Sequence, residues 1–509
     1  MTVTDFLVWA FEPSVMFDRQ SGVFLHLTSL PGPHGIGDLG AGARTFLDVL
    51  ERAEQSLWQF CPVTPTVGVH GHSPYASPSA FAGNPLLVDL TALVDRGWLG
   101  AKALEDPPAD PHTVHYDDVA AFKRDRLRMA FEGFEANAGE DARAAFDAFR
   151  ERESTWLEEY TVFAALKAAH DGAPWVEWPA DLAGRDAGAL AAARENHADA
   201  IRYHAFVQWI FDEQWRDLRA AADERGISLV GDLPIYVAWD SADVWANPDA
   251  FELDEAGQPT AVAGVPPNPG DDGQRWGNPV YDWETLRADE YGWWRHRLDR
   301  LLSLVDIARI DHFKAFDEYW AIPANADDPA AGEWQPGPGA DFFETVRAEL
   351  GELPFIVEDL GFLDERMVSL RDQFEFPGMR VPHYADWCQE GHRYKPTVYP
   401  ENCVAYTSTH DTDTAVGFYE DLPADQRECL EYALATDGEG IAWDLIEAVW
   451  HSEATLALTT VPDLLERDSE ARLNRPGTDE GNWTWRVSAD ELDGDFVDRL
   501  ASITRTALR

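Results

Sequence analysis

Short apolar runs, widely separated along the chain, constrain its fold more than any other feature of the sequence. Runs at 227–232, 304–311 and 354–359 consist mostly of apolar and small residues, and each ends in acidic residues. Similar runs occur at 22–26, 56–61 and 403–407. A continuous apolar run of this length is typical of a strand that is buried on both faces. The sequence therefore predicts a parallel sheet.

Helix-forming sequence lies between these runs. Residues 212–225 are rich in Ala, Leu, Arg and Glu, and they are followed by Gly226 just before the next apolar run. Glycine at this position commonly ends a helix that leads into a strand. Alternation of strand and helix over most of the chain, with carboxylates at strand ends, favours a (β/α)8 TIM barrel with insertions over an open doubly wound sheet.

We expect one catalytic barrel over residues 21–509, preceded by an N-terminal extension over 1–20. The start of the chain contains an apolar stretch but neither a basic residue nor a small-residue cleavage site, so it is a poor signal peptide, and Met16 is a plausible alternative start. A helical insertion is predicted over about 90–200. A second insertion, rich in Pro, Gly and Trp, is predicted over about 239–290 as long loops above the barrel mouth.

The charge of the chain restricts its partners. Asp and Glu number 92 against 40 Lys and Arg, which gives a net charge of −52, yet 45% of residues are hydrophobic and 21 are Trp. This composition predicts a globular protein that repels nucleic acid and anionic membranes and acts on a neutral substrate. No apolar run reaches the length of a membrane span. An acid-rich chain with only five lysines suits a salt-rich, halophilic cytoplasm, where salt screens self-repulsion.

Neither a metal site nor a cofactor is expected. The four cysteines (Cys61, Cys388, Cys403 and Cys429) show no paired spacing, which argues against zinc ligation and against a disulfide framework and is compatible with a reducing cytoplasm. The histidines form no i, i+4 pair on a helix, and the chain has no phosphate-binding glycine loop.

Three strand ends carry candidate catalytic groups. Arg309 and Asp311 point to the same side of their strand, and a guanidinium favours the ionised form of a neighbouring carboxyl group, as a nucleophile requires. Glu358, between Val357 and Leu360, is expected to be partly desolvated and to act as a general acid. Taken singly, these residues fit a structural ion pair and a helix cap equally well.

The third strand end carries His410 and Asp411, which could orient a sugar, although isolated His-Asp pairs are more often loop residues. Together the three sites are more specific. Two carboxylates about 5–5.5 Å apart would form the pair of a retaining glycosidase. Tyr75 and Trp276 are the aromatic residues that we expect to contact sugar, whereas most other Trp residues are expected in the core.

The order of several motifs is similar to that of one enzyme family. The motifs are LTSLPG at 27–32, HSPY at 72–75, VGDLPI at 230–235, VAGVPP at 262–267, GQRWGNP at 273–279, RIDHF at 309–313, EDLG at 358–361, THD at 409–411 and SEARLN at 469–474. From Ser21 to the C-terminus, the chain resembles the 4-α-glucanotransferases (amylomaltases) of glycoside hydrolase family 77. The resemblance implies a TIM barrel without metal or organic cofactor that transfers α-1,4-glucan segments to glucose or to another glucan.

The resemblance also implies roles for individual residues. Asp311 matches the nucleophile, Glu358 the acid/base and Asp411 the transition-state stabiliser. Residues that match flanking or groove-lining positions are Arg309, His410, Ser73, Tyr75, Asp232, Trp276 and Asn474.

Three stretches depart from the family pattern. Thr412 replaces the usual Asn, the loop 267–273 lacks aromatic residues, and 381–386 differs enough to predict a remodelled groove wall. An α-glucan hydrolase with the same carboxylates and, less favoured, a non-catalytic glucan-binding protein remain alternatives.

Overall fold

A computed structural model describes residues 17–268, 271–361, 363–478 and 480–509. The strands in these residues are β1 (Gln20–Phe24), β2 (Leu57–Gln59), β3 (Ser228–Leu233), β4 (Ala261–Val265), β5 (Gln274–Pro279), β6 (Ile307–Ile310), β7 (Glu318–Pro323), β8 (Glu333–Pro336), β9 (Phe355–Val357), β10 (Gly378–Arg380), β11 (Cys403–Tyr406) and β12 (Leu456–Thr460).

The α-helices in the same residues are α1 (Ala41–Arg52), α2 (Leu90–Asp95), α3 (Tyr116–Asn137), α4 (Glu140–Arg152), α5 (Ser154–Ala169), α6 (Ala180–Ala183), α7 (Ala187–Asn196), α8 (Ala198–Asp223), α9 (Ala242–Ala246), α10 (Trp283–Ala288), α11 (Gly292–Leu304), α12 (Lys314–Asp317), α13 (Ala340–Leu350), α14 (Glu365–Gln373), α15 (Ala415–Asp421), α16 (Ala424–Leu434), α17 (Ile441–Trp450), α18 (Val461–Leu464), α19 (Ala489–Leu492) and α20 (Phe496–Ala507). Short 3-10 helices lie at Leu27–Ser29, Gly68–His70, Pro85–Leu87, Ala101–Leu104, Trp175–Glu177, Pro248–Ala250, Pro329–Ala331, Pro382–Tyr384, Pro396–Val398 and Ser469–Ala471.

Eight parallel strands close into a barrel, so the predicted TIM-barrel fold is confirmed. The strand order is β1-β2-β3-β6-β9-β10-β11-β12, and β1 pairs in parallel with both β2 and β12 to close the ring. Helices connect successive strands and cover the outside of the barrel.

Apolar side chains fill the barrel interior. Gly22 provides a close approach between strands, because a Cβ at this position would lie 2.3 Å from the Leu57 carbonyl oxygen. At the carboxyl ends of β11 and β2, the Tyr406 hydroxyl donates to Gln59 Oε1 (3.0 Å). The barrel is therefore a packed core, as expected for this fold, and the buried cluster inside it comprises Leu57, Val230, Ile307, Ile356, Met379, Val381, Val404, Tyr406, Leu456 and Leu458.

The helix predicted over 212–225 is the second half of the longer helix α8. Its end agrees with the glycine signal: Gly226 has a positive φ of 68°, and the chain turns there into β3. A left-handed backbone at this point favours glycine because it has no Cβ.

Residues 90–200 carry α2 to α7 and the start of α8. Lys123 on α3 attaches this helical region to the barrel connections. Its ammonium group is fully buried and donates to Asp38 Oδ2 (3.0 Å) and to the carbonyl oxygens of Leu86 (2.7 Å) and Val88 (2.8 Å).

Residues 239–290 contain more regular structure than the long loops that the sequence predicts. The strands β4 and β5 lie within this segment, and they form an antiparallel sheet of order β5-β4-β7-β8 with two strands from the next barrel connection. The sequence did not predict this sheet because the segment is rich in proline and glycine, and both residues are depleted in strands.

Two barrel strands were not predicted. The strand β10 consists of Gly378, Met379 and Arg380 and is flanked by Pro377 and Pro382, so no apolar run marks it in the sequence. The strand β12 lies six residues after the apolar helix α17, so its sequence merges with the preceding apolar segment.

The expectation that no disulfide forms is wrong. Cys388, which follows β10, and Cys429 on α16 are joined by a disulfide, with their Cα atoms 5.2 Å apart. Cys61 and Cys403 are free and buried. Disulfide pairing depends on distance in space, and a sequence separation of 41 gives no sign of it in the sequence.

The expected N-terminal extension lies mostly outside the described residues, as does Met16. The first barrel strand begins at Gln20. Among the described helices, none combines the length and the apolar character needed to cross a bilayer.

Candidate active site

The predicted carboxylates lie at the carboxyl ends of neighbouring barrel strands. Asp311 directly follows β6, and its backbone N–H donates to the Leu233 carbonyl oxygen of β3 (3.0 Å). Glu358 directly follows β9, and its backbone N–H donates to the Ile310 carbonyl oxygen of β6 (2.9 Å). The barrel ladder therefore continues one residue beyond the strands and fixes the backbone of both carboxylates.

Arg309 links two acidic residues at the floor of this mouth. Its Nη1 lies 2.8 Å from both carboxylate oxygens of Asp232 and 3.0 Å from Asp311 Oδ1. Burial alone would lower the pKa of Arg309, but the charges of Asp232 and Asp311 outweigh burial and raise it well above its usual value. The guanidinium thus stays charged and compensates the two carboxylates in a buried position.

Glu358 is held by two backbone N–H groups. Its Oε2 accepts from His312 (3.0 Å) and its Oε1 accepts from Leu360 (2.8 Å). Burial raises the pKa of Glu358 to about 7, Arg309 opposes this rise, and the negative charge of Asp311 adds to it. The direction agrees with the desolvation expected from the sequence. A carboxyl group with this pKa exchanges protons readily near neutral pH.

Asp411 has a partner on each carboxylate oxygen. His410 Nε2 lies 3.2 Å from Oδ2, and Asn474 Nδ2 donates to Oδ1 (2.7 Å). Burial alone would raise the pKa of Asp411, but His410 and Asn474 lower it below its ordinary value. Burial likewise opposes the charged form of His410, and Asp411 raises the pKa of His410 in spite of it. Asp411 therefore holds a negative charge at the rim.

Tyr75 connects the two halves of the site. Its hydroxyl donates to Asp232 Oδ2 (2.9 Å) and lies 2.8 Å from His410 Nε2, and its ring stacks on the His410 ring at 5.4 Å. Ser73 supports Tyr75, because Ser73 Oγ accepts a hydrogen bond from the Tyr75 backbone N–H (3.2 Å). The described contacts of the Ser73 side chain do not reach the carboxylates.

Trp276 lies on β5 at the edge of the mouth. It is 37% exposed, and its ring meets the His312 ring edge to face at 4.9 Å. Its Nε1 donates to Gln274 Oε1 (2.9 Å). Since His312 directly follows Asp311, the structure places this exposed aromatic ring beside the catalytic strands without direct contact with the carboxylates.

An acidic group outside this mouth has the spacing of a metal site in the described part of the chain. Its members are Asp317, Glu318 and Asp364. The ammonium group of Lys314 binds all three, at 2.8, 2.9 and 2.5 Å respectively. The lysine thus already supplies the positive charge that a cation would bring.

Comparisons with known proteins place this geometry in a family. The model of glycoside hydrolase family 77, described as 4-alpha-glucanotransferase, matches residues 25–491. The chain belongs to glycoside hydrolase family 77. It is 43% identical over 500 residues to a 4-alpha-glucanotransferase of Thermus thermophilus, covering 96% of this chain and 99% of that protein. A 4-alpha-glucanotransferase of Synechocystis is also 43% identical, over 496 residues, covering 96% of this chain and 98% of that protein.

A solved structure within the same family is also similar. The amylomaltase of Streptococcus agalactiae, solved in complex with acarbose, superposes with a TM-score of 0.93 at 35% identity, covering 96% of this chain and 99% of that one. This match supports both the family assignment and the barrel.

Sequence reasoning assigned no role of its own to Tyr384, although it predicted a remodelled groove wall for the stretch that contains this residue. Tyr384 follows the short strand β10 and is 47% exposed, and partial burial together with the charges of Glu358 and Asp411 raises the pKa of its hydroxyl. The residue lies in the stretch 381–386 that departs from the family pattern. Recognition of β10 would have provided the signal, since a tyrosine just after a barrel strand faces the mouth.

His383, in the same stretch, contacts residues that follow Asp411 in the chain. His383 Nε2 donates to the Asp413 carbonyl oxygen (2.9 Å), and its ring lies 4.2 Å from the Phe418 ring. Burial lowers the pKa of His383 to about 4, so the ring is neutral at physiological pH. The other departing loop, 267–273, falls partly outside the described residues.

Different side chains of this site are suited to holding negative charge and to transferring a proton. Arg309 binds Asp311, and Asn474 donates a hydrogen bond to Asp411. In contrast, the buried environment of Glu358 favours proton exchange. A group that donates and then accepts a proton, between two acidic side chains fixed by hydrogen bonds, is suited to reactions that develop positive charge at a sugar carbon.

Proposed function

We propose that this protein is a 4-α-glucanotransferase that moves a segment of α-1,4-glucan to the 4-hydroxyl of an acceptor by a retaining double displacement. The observation that carries the proposal is Glu358, whose pKa of about 7 suits a group that acts first as an acid and then as a base. Its neighbour on the next strand, Asp311, is held by Arg309 at 3.0 Å. Membership in family 77 supports the same chemistry.

In the first step, Asp311 attacks the anomeric carbon of the donor glucan. Glu358 gives its proton to the departing glycosidic oxygen, so the bond breaks without release of an alkoxide. Asp411, negatively charged and 38% exposed in its side chain, stabilises the positive charge that develops on the sugar ring. The product of this step is a covalent glycosyl-enzyme and a free glucan or glucose.

In the second step, the deprotonated Glu358 accepts the proton of the acceptor's 4-hydroxyl. The acceptor oxygen attacks the intermediate, the bond to Asp311 breaks, and an α-1,4 bond forms again. Water in place of the acceptor would give hydrolysis. The acceptors that we propose are glucose and α-1,4-glucans.

The remaining predicted residues bind and orient the sugars. We assign Tyr75 and Asp232 to the sugar that reacts, because they contact the groups around Arg309 and His410. Trp276 offers an exposed ring for stacking at the edge of the mouth. Ser73 acts through Tyr75, and Asn474 acts through Asp411.

Incubation with maltotriose tests the reaction. Transfer converts two maltotriose molecules into maltopentaose and glucose, and repeated transfer gives a ladder of longer products with a constant number of reducing ends. A rise of reducing ends in step with bond loss would instead identify an α-glucan hydrolase. Labelled glucose added to the mixture should appear in the products if glucose is an acceptor.

The nucleophile is tested by Asp311→Asn. We expect maltotriose turnover to fall by about 10³-fold or more, because an amide cannot form the covalent intermediate. The matched control is Asp327→Asn, which makes the same change at an exposed position. Unchanged turnover in the Asp311 variant would remove both the assigned nucleophile and the retaining mechanism. Absence of turnover in the wild-type protein would instead indicate a non-catalytic glucan-binding protein.

We also propose a salt-rich cytoplasm as the place of action. The net charge of −52 supports it, since high ionic strength screens repulsion between acidic groups. The disulfide between Cys388 and Cys429 does not support it, since disulfides are rare in a reducing cytoplasm, so the charge alone carries this proposal. Cell fractionation with an activity assay tests the compartment.

A further inference from the structure

The loop that carries Asp411 is organised by side chains. Within the described residues 408–413, no backbone N–H donates to a backbone carbonyl oxygen of the same loop. Instead, Thr412 Oγ1 accepts from the Thr409 backbone N–H (2.8 Å) and lies within donating distance of the Thr409 carbonyl oxygen (3.4 Å). One hydroxyl therefore joins both ends of the segment Thr409–Thr412.

The residues between these ends are His410 and Asp411. The Asp411 backbone N–H donates to Thr409 Oγ1 (3.3 Å), so its backbone is attached to the residue that Thr412 holds. The Asp411 carbonyl oxygen accepts from Arg472 Nη2 (2.8 Å) on the outer side. The position of the Asp411 carboxylate thus depends on a short chain of side-chain hydrogen bonds.

Thr412 is placed to act on this loop alone. It is 9% exposed, and the hydrogen bonds of its hydroxyl both go to the backbone of Thr409. Serine and threonine hydroxyls commonly replace backbone bonds in this way in turns. Without the hydroxyl, the Thr409 N–H would lose its partner, and a partly buried donor without a partner destabilises the segment.

We propose that Thr412 is a positioning residue for Asp411: its hydroxyl closes the segment 409–412 and thereby fixes the carboxylate that stabilises the transition state. This inference rests on the proposed function, because it assigns a role to Asp411 in glucan transfer. The reacting groups must be held within a fraction of an ångström, and a displacement of about 1 Å can cost about 10²-fold in rate.

The experiment compares Thr412→Val with Thr412→Ser in the full-length protein. Valine keeps the branched shape and removes the hydroxyl, whereas serine keeps the hydroxyl and removes the methyl group. We expect the valine variant to lose about 10- to 100-fold in kcat for maltotriose, with KM within about twofold of wild type. We expect the serine variant to recover most of this loss.

A matched control is Thr436→Val, on the segment between α16 and α17. The Thr436 hydroxyl also makes two hydrogen bonds: it accepts the Gly438 backbone N–H (3.0 Å) and donates to Asp444 Oδ2. The Thr436→Val variant should lower the thermal midpoint about as much as Thr412→Val does, and it should leave kcat unchanged. This comparison separates a local loss of positioning from a general loss of stability.

A second substrate separates Asp411 from Glu358. α-Maltosyl fluoride has a leaving group that needs little help from an acid, so it rescues variants of the acid/base. The loss in Thr412→Val should persist with this substrate, because stabilisation of positive charge on the sugar is still required.

The outcomes are distinct. A Thr412→Val enzyme with kcat within twofold of wild type overturns the inference, and so does a serine variant that is as impaired as the valine variant. If the valine variant does not fold, Thr412→Ala replaces it, with the same expected loss and the same overturning result. If wild-type protein fails to turn over maltotriose, the proposed function itself is wrong.

Discussion

At the scale of single residues, environment gives similar carboxyl groups different tasks. Burial raises the pKa of Glu358 to about 7, whereas His410 and Asn474 keep the pKa of Asp411 below its ordinary value. The two side chains follow different strands of one barrel, so the difference arises from their immediate neighbours. Pairs of groups whose pKa values are moved apart in this way commonly mark acid and base roles.

The pH dependence of transfer should report Glu358. Its raised pKa means that the proton-donating form persists to about pH 7, so we expect kcat/KM to fall as the pH rises through this value. Glu358→Gln should lower kcat for maltotriose by about 10²- to 10⁴-fold and abolish this alkaline limb. Initial rates across a pH series measure both effects.

Two comparisons test this assignment. Glu365→Gln, an exposed position at the start of α14, should keep wild-type rates and the wild-type profile. With α-maltosyl fluoride, the first step of the Glu358 variant should recover. A profile that retains its alkaline limb in Glu358→Gln would assign the limb to another group.

At the scale of elements, the disulfide between Cys388 and Cys429 attaches the segment after β10 to α16. Trp387, next to Cys388, packs into the apolar cluster that includes Leu430 on α16 and Leu445 on α17. Its backbone N–H donates to Gln426 Oε1 (2.8 Å). The segment that carries Tyr384 is therefore attached to α16 and α17 by a covalent bond, a hydrogen bond and apolar packing.

Loss of this disulfide should destabilise the protein. The bond closes a loop with a sequence separation of 41, for which the chain-entropy model gives at most about 4 kcal/mol. Urea unfolding should show a lower midpoint after treatment with dithiothreitol. In a Cys388→Ser, Cys429→Ser double variant the midpoint should be low from the start, and dithiothreitol should not change it. A wild-type midpoint that is insensitive to the reductant would contradict the prediction.

The sequence predicted long-range architecture better than short elements. Continuous apolar runs identified six barrel strands, because burial on both faces leaves a clear pattern. The strand β10 and the sheet that includes β4 and β5 left no such pattern, because glycine, proline and charged residues interrupt their apolar sequence. The candidate carboxylates were found because they follow well-marked strands, whereas no role was predicted for Tyr384, which follows the unrecognised strand β10.

Side-chain partners were harder to predict than positions. The contact of Asn474 with Asp411 joins residues 63 positions apart, and that of Tyr75 with Asp232 joins residues 157 apart. No local periodicity reports such pairs. The disulfide between Cys388 and Cys429 was not predicted for the same reason.

At the scale of the whole molecule, the excess of acidic residues is the main source of electrostatic repulsion. The net charge of −52 produces repulsion that favours unfolding, and it is screened over roughly 10 Å at 0.1 M salt but over roughly 3 Å at 1 M. The proposed substrates are neutral, so this charge does not oppose their binding.

We therefore expect stability and turnover to increase with salt. The thermal midpoint should rise between 0.1 and about 2 M KCl, and maltotriose turnover should follow it, because screening relieves repulsion in the folded state. NaCl at equal concentration should act similarly if screening is the cause. Full stability and full turnover in dilute buffer would refute this prediction and leave the catalytic assignment unchanged.

The antiparallel sheet has a further consequence for attempts to alter specificity. The strands β4 and β5 come from the connection before Asp311, and β7 and β8 come from the connection before Glu358, yet β4 pairs directly with β7. If only one of these connections is replaced by that of a homologue, one strand of the β4–β7 pair comes from a different protein than the other, and their hydrogen bonds and side chains need not match. Chimaeras at this rim are best built as a two-part cassette, with both connections taken together from one parent.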